Sequence, residues 1–279
     1  IFTFTEKIEG VEFLEALKIL DEKAGVTLER GDPKLRSEKD RLLQMCELAA
    51  EFFTLTLHNP NLPTHPNNPN ENLILDYLHK RGLNEGTIEE WRLGYSPDLW
   101  DSLLSFLRKK GYKEAEMEKA GLVIRATDNR QGAAKYYDRF RNRLMFPIFD
   151  VNGRVVAFSG RVMSDILPSK TEKADAGKYI NSPETILYSK SRILYGLNSA
   201  KSEIRKNNRV VLVEGQMDML LPFQDGVKNI VATSGTALTA EQLLILKRLT
   251  DNLSLSFDMD DAGFRATKRG IDLATEMGF

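Results

Sequence analysis

Upstream of Arg209 the apolar positions mostly repeat at helical spacing; from Arg209 onward short, solid apolar runs alternate with helical patterns. Over residues 11–24, Val11, Leu14, Leu17, Ile19 and Leu20 share one helical face, and Gly25 stops it. A longer helix is predicted over 37–57, with Ser37 as its N-cap. Asn59 to Asn72 holds four Pro and six Asn, a composition that predicts a loop. Short helices are predicted near 72–81, 85–92, 98–110 and 114–120. Strand signals begin near Leu122. The apolar runs Leu144–Phe149 and Val155–Phe158 flank Asn152-Gly153, a pair that favours a tight hairpin turn. The polar stretch 164–178, with Pro168 and Gly177, predicts a mobile loop.

The second rhythm is more regular. A strand over 209–213 leads to a helix over 216–225. A strand over 229–232 leads through Ser234-Gly235-Thr236 to a helix over 239–250, and a strand over 253–257 leads to a helix over 261–277. This alternation predicts a parallel sheet with crossover helices.

Acidic residues stand where two of these strands end. Val210–Val213 runs into Glu214-Gly215-Gln216-Met217-Asp218, and Leu253–Phe257 runs into Asp258-Met259-Asp260-Asp261. Functional groups of open parallel sheets gather beyond the carboxyl ends of strands. Converging carboxylates repel unless a cation sits among them, and hard oxygen donors suit Mg2+. Each acid also has a plainer explanation. Asp218 falls in the first turn of a helix, where it complements the dipole. Asp260 or Asp261 would serve as N-cap of the helix over 261–277. Asp258 comes too early for that purpose, and Glu214 has no comparable structural use.

Composition narrows the class. The chain has 279 residues, room for two or three domains, and its hydrophobic fraction of 42% is that of an ordinary soluble protein. No apolar run approaches the roughly 18 residues of a membrane span. Cys46 is the single cysteine, so no intrachain disulfide can form and a reducing cytoplasm fits; its neighbours Leu42, Leu43, Leu48 and Ala49 mark it as a core thiol. His58, His65 and His79 show no zinc-ligand spacing. The chain lacks an initiator Met, which predicts a piece of a longer protein. Residues 125–206 carry 16 Lys+Arg against 8 Asp+Glu, a net of +8, which leaves −9 for the rest of a chain whose total is −1. A basic middle beside acidic strand ends points to a polyanion held near a metal site, with a mixed-charge solvated surface as the plainer alternative.

The pairing of a strand-terminal Glu-Gly with a later Asp-x-Asp strand end resembles the Toprim fold of primases, topoisomerases and some nucleases. A narrower resemblance, to the DnaG-type bacterial DNA primase family, extends over nearly the whole chain. It is carried by Tyr77-Leu78-x-x-Arg81-Gly82-Leu83, by Tyr137-Asp138-Arg139-Phe140-Arg141-x-Arg143-x-Met145-Phe146-Pro147-Ile148 and by Gly153-Arg154-Val155-Val156-Ala157-Phe158-Ser159-Gly160-Arg161. It continues through Lys178-Tyr179-x-Asn181-Ser182-Pro183-Glu184-Thr185, Leu194-Tyr195-Gly196-Leu197, Val213-Glu214-Gly215-x-Met217-Asp218 and Gly235-Thr236-Ala237-Leu238-Thr239. The opening Ile8-Glu9-Gly10-Val11 is similar to the tail of that family's zinc-binding module. Three positions depart from the pattern: Met259 stands where the family carries Gly between the two aspartates, Gln216 where it carries an aromatic, and Ser159 where it carries Gly.

The resemblance implies an α+β N-terminal subdomain followed by a partial α/β Toprim domain with a parallel sheet. The implied boundaries are 1–36 for the zinc-module tail and linker, 37–205 for the N-terminal subdomain and 206–279 for a truncated Toprim domain. It implies synthesis of short RNA primers on a single-stranded DNA template from ribonucleoside triphosphates. Glu214, Asp258 and Asp260 would be catalytic, and with Asp218 they would bind Mg2+ or Mn2+. Zn2+ would be held only by the missing N-terminal module. Arg81, Arg143, Arg161, Lys178, Asn181 and Lys190 would line the template and nucleotide groove, with Tyr179 either stacking a base or packing. A replicative helicase would bind through a missing C-terminal region, in the cytoplasm and without membrane contact. Another Toprim enzyme, a topoisomerase or nuclease, shares the acids and leaves the upstream motifs unexplained. A haloacid-dehalogenase phosphatase accounts for Asp258-x-Asp260 alone. A non-catalytic nucleic-acid-binding remnant is the third alternative, motivated by Met259.

Overall fold

The computed structural model describes residues 1–9, 11, 13–24, 33–59, 64–65, 68–126, 136–171, 177–235, 237–258 and 261–279. They fall into two compact units, one of residues 37–148 and 154–189, the other of 1–36, 149–153 and 190–279. The second unit opens with α1 (Phe2–Glu9) and α2 (Phe13–Ala24), which pack on each other through a Phe2–Phe13 ring contact of 5.6 Å. Helix α2 follows the predicted periodicity, whereas α1 lacks a clear stripe in the sequence.

Helix α3 (Pro33–Leu57), most of which lies in the α+β unit, starts four residues earlier than Ser37 suggested. Proline is well suited to a first helical position, because its missing N–H would have no intrahelical partner there. Leu42, Met45, Cys46, Ala49, Phe53 and Leu57 lie on its buried side. Burial pushes the Cys46 thiol up to about 12, so it is an inert core group. The predicted 59–72 loop contains a short antiparallel pair, β1 (Thr64–His65) and β2 (Asn68–Asn72). Asn72 then caps α4 (Leu73–Lys80): its Oδ1 accepts from Ile74 N at 2.8 Å, and its Nδ2 donates to Leu57 O at 2.6 Å, tying the new helix to the end of α3.

Next come α5 (Glu85–Glu90), β3 (Gly94–Ser96), α6 (Ser102–Lys109), α7 (Glu114–Lys119), β4 (Val123–Arg125) and β5 (Tyr136–Asp138). Asp138 is buried. Its carboxylate accepts from Leu103 N and Leu104 N, both at 2.8 Å, and from Ser102 Oγ at 3.0 Å, capping α6 from a distant strand. Burial pushes this carboxyl up to about 6, against the pull of those three hydrogen bonds.

The predicted hairpin forms β6 (Arg143–Phe149) and β7 (Val155–Val162), joined through Gly153 at φ 79°. With β3 and β8 (Tyr179–Asn181) they make a four-stranded sheet in the order β3-β6-β7-β8. Strands β3 and β8 are too short for an alternation to show in sequence. Part of the supposed mobile loop is anchored: Asp98 accepts from Ser169 Oγ at 2.8 Å, Lys170 N at 2.6 Å and Thr171 N at 3.1 Å. Residues 172–176 lie outside the described residues.

The remaining elements complete the sheet unit: α8 (Leu197–Asn207), β9 (Val210–Val213), α9 (Gln216–Gln224), β10 (Ile230–Ala232), α10 (Ala240–Lys247), β11 (Leu253–Ser256) and α11 (Asp261–Glu276). The three strands are parallel in the order β10-β9-β11, as the alternation predicted. Residues 190–205, upstream of the 205/206 boundary, also fall in this unit, because α8 belongs to its core. Leu194, Leu197, Ala200 and Ile204 pack with Val210, Leu212, Val231 and Leu246. Among the described residues no helix is long and apolar enough to cross a membrane.

Candidate functional site

Strand register decides where the acids emerge. Leu255 pairs with Leu212 and Ser256 with Val213, so Glu214 and Asp258 leave the same end of adjacent parallel strands. The backbone at Glu214 is clamped: its carbonyl accepts from Gly235 N at 3.1 Å and Thr233 Oγ1 at 3.3 Å, and Thr233 N donates to Val213 O at 3.1 Å. Ser234 and Gly235 reach that position through positive φ values of 62° and 72°, an arrangement costly for serine and easy for glycine. The Glu214 side chain is half-buried.

Asp218 is exposed, and its Oδ2 accepts from Gly215 N at 3.1 Å. A Cβ on Gly215 would come within 2.7 Å of that oxygen, so glycine is what lets the carboxylate fold back over the helix start. Beyond the dipole role expected of Asp218, its side chain caps the helix start, which engages one of the two carboxylate oxygens. Asp258 is exposed; Gly263 of α11 packs so closely that a Cβ there would collide with the Asp258 carbonyl. Met259 and Asp260 lie outside the described residues. Among the described residues, no three His, Cys, Asp or Glu side chains come close enough to hold a metal ion together. Carboxylate oxygens collected at one end of a parallel sheet suit Mg2+ or Mn2+ by donor type, and the described acids alone do not close a coordination shell.

The basic candidates divide by environment. Arg161, on β7, has a buried side chain: its Nη2 donates to Asp165 Oδ2 at 2.8 Å, its Nη1 to Val162 O at 3.0 Å, and its guanidinium lies 4.8 Å from the centre of the Tyr77 ring. Burial is the largest single influence and works against its charge; the Asp165 hydrogen bond and the charges of Tyr77, Asp165 and Tyr179 together outweigh it, and the pKa is held above the ordinary arginine value. Tyr179 sits opposite Arg161 on β8, 39% exposed, with its ring 6.4 Å from Phe146, so one face packs while an edge remains open. Lys178, next to it, is exposed, and Arg81 is exposed one helical turn beyond Tyr77 at the end of α4. Asn181 is half-buried on β8, its carbonyl facing the Arg139 guanidinium at 3.4 Å. Lys190 belongs to the sheet unit, where its carbonyl accepts from Gln242 Nε2 at 3.2 Å.

Arg143 differs from this group. It is 1% exposed, and its Nη1 donates to Gly160 O at 3.0 Å and Gly177 O at 3.1 Å. The resemblance placed Arg143 in the template and nucleotide groove. In the folded protein Arg143 points into the unit and braces β7, while Arg141 lies over Trp100 and Tyr137 at 4.7 and 5.3 Å. Two contributors were missed altogether. Asp165, four residues beyond Arg161 in an irregular segment, carries no periodic signal. The clamp of Thr233 and Gly235 on Glu214 is a contact between strand ends.

Residues 62–201 match a family model for the N-terminal domain of the DNA primase catalytic core, and residues 211–279 match a Toprim-like model. A curated DNA primase of Clostridium acetobutylicum is 39% identical over 286 residues, covering 100% of this chain and 43% of the relative. One from Deinococcus radiodurans is 39% identical, covering 98% of this chain and 43% of the relative. The chain thus spans less than half the length of these relatives. Among solved structures, the RNA polymerase domain of Mycobacterium tuberculosis primase DnaG matches with a TM-score of 0.70 at 32% identity, covering 84% of this chain and 71% of that one. A DnaG primase catalytic domain bound to single-stranded DNA matches with a TM-score of 0.70 at 33% identity, covering 86% and 68%.

Proposed function

Since this chain belongs to the DnaG-type DNA primase family, we propose that it forms part of a catalytic core that copies single-stranded DNA into short RNA primers. The observation that carries the reading is the emergence of Glu214 and Asp258 from the same end of two adjacent parallel strands. The match over residues 62–201 favours a primase over a topoisomerase, a nuclease or a phosphatase, since those classes do not account for it. In this reading residues 1–36 are the tail of a zinc-binding module and linker, 37–205 the N-terminal subdomain, whose last helix α8 packs with the Toprim core, and 206–279 the Toprim portion.

The reaction is attack of a primer 3′-hydroxyl on the α-phosphate of a ribonucleoside triphosphate, with pyrophosphate leaving. Glu214, Asp218, Asp258 and Asp260 would hold Mg2+ or Mn2+ directly or through water, and none is assigned as general base. Such ions would supply charge neutralisation at the phosphoryl oxygens and an acidified 3′-hydroxyl. The half-buried Glu214, on its clamped backbone, offers a fixed donor that needs little reorganisation. Arg81, Arg161, Lys178 and Lys190 would bind template and nucleotide phosphates, and Asn181 would hold its strand beside them. Arg143 would act only by supporting β7. Zn2+ and a replicative helicase would be bound by other parts of a longer cytoplasmic protein.

Template-directed ribonucleotide incorporation, measured beside DNA binding on the same samples, tests this. Asp258→Asn is expected to abolish synthesis and leave single-stranded DNA binding in place. Undiminished synthesis by that variant would overturn the assignment.

A further inference from the structure

An acid stands among the proposed phosphate-binding cations. Asp165 is 56% exposed, yet it holds the 8%-exposed Arg161 side chain by two contacts, Nη2 to Oδ2 at 2.8 Å and Nη1 to Oδ1 at 3.4 Å. The rest of the Arg161 head is covered as well, by Val162 O at 3.0 Å, Met163 Sδ at 3.5 Å and the Tyr77 ring. The fork that a phosphodiester would need is thus already filled by a carboxylate. Lys178 also bears on Asp165, which Arg161 first and Lys178 last among its influences hold below the usual carboxylate range. The geometry points to Asp165 as a specificity-determining latch: it mimics a phosphate in the Arg161 fork, and a template phosphate must displace it to gain that contact. This rests on the reading of the Arg81–Arg161–Lys178 face as the template site.

Two consequences separate the latch from its alternatives. A latch weakens binding by competition, so removing it tightens binding, whereas an acid that merely orients Arg161 would loosen binding when removed. A latch also acts only through Arg161, whereas general repulsion of the polyanion acts with or without that residue.

The experiment is a double-mutant cycle on the 279-residue chain, with fluorescent oligo-dT as probe and thermal unfolding as a check on folding. Asp165→Asn is expected to tighten binding about fivefold, the upper end for a partly exposed ion pair. Arg161→Ala is expected to weaken it, and Asp165→Asn added to Arg161→Ala to give no gain. Asp165→Ala serves as a second removal, free of the new amide. A gain that persists without Arg161 would reduce Asp165 to bulk electrostatics. Weaker binding by Asp165→Asn would make it an orienting residue. Both results overturn the latch and leave the template reading standing; if Arg161→Ala binds as well as wild type, the template reading fails at this residue.

Discussion

The acids at the strand ends and the cations of the α+β unit are placed by different means. Glu214 and Asp258 owe their positions to the backbone: parallel register, the clamp from Thr233 and Gly235, and the close approach of Gly263 to Asp258. Arg161 and Arg143 owe theirs to side-chain contacts, with Asp165 and Tyr77 in one case and with the carbonyls of Gly160 and Gly177 in the other. A site set by backbone tolerates exchange of its exposed side chains without loss of fold. A site set by side-chain contacts couples charge to stability, so arginines two strand positions or one strand apart are not interchangeable.

The hardest test of that contrast is Arg143→Ala. It removes a buried guanidinium and leaves two carbonyls short of a donor, so a loss of about 3–5 kcal/mol is expected in urea unfolding. A loss below about 1 kcal/mol would remove Arg143 from the structural class.

Gly263→Ala strikes the other region through its backbone. The added methyl must push α11 away from the Asp258 carbonyl, at a cost of about 1–3 kcal/mol. Thermal unfolding should show the loss, and Mn2+ titration should weaken with it, because the strand end moves. Normal metal binding in a destabilised variant would separate Asp258 from the metal.

Asp258→Asn should do the reverse. The side chain is exposed, so unfolding free energy should change by less than about 0.5 kcal/mol. Mn2+ affinity should fall roughly tenfold as a ligand charge is lost. Unaltered titration curves would count against the acids as metal donors.

The smallest effect belongs to Lys178→Ala. Lys178 is exposed, so folding should be unaffected. The plot of log affinity for single-stranded DNA against log salt should flatten by about 0.7, the contribution of one phosphate contact. An unchanged slope would put the polyanion elsewhere.

Much of the fold is legible in the sequence. From Arg209 onward each predicted strand and helix appears within a few residues, since solid apolar runs and amphipathic stripes are local patterns with a strong period. The hairpin at Asn152-Gly153 was legible for its turn chemistry. The pair β1–β2 and the strands β3 and β8 were not: all are short, β1 and β2 pair locally inside a Pro- and Asn-rich stretch, and β3 and β8 take their conformation from partners distant in sequence. Of the site, Glu214 and Asp258 could be found because an acid ending a buried strand has few structural uses. Arg143 was misplaced because a motif match carries no information on whether a strand side chain faces water or the interior.

Periodicity and strand-end chemistry therefore fixed the parallel sheet and its acidic edge, and matched motifs along the chain carried the family resemblance, all properties of segments a dozen residues long or less. Which arginines are buried, that α8 belongs with the sheet, that Asp138 caps a helix 34 to 36 residues upstream and that Asp165 fills the Arg161 fork were decided only by the folded chain. Those outcomes depend on competition between burial of charge and the partners available in space. Partners brought together by chain reversal leave no period in the sequence from which they could be read.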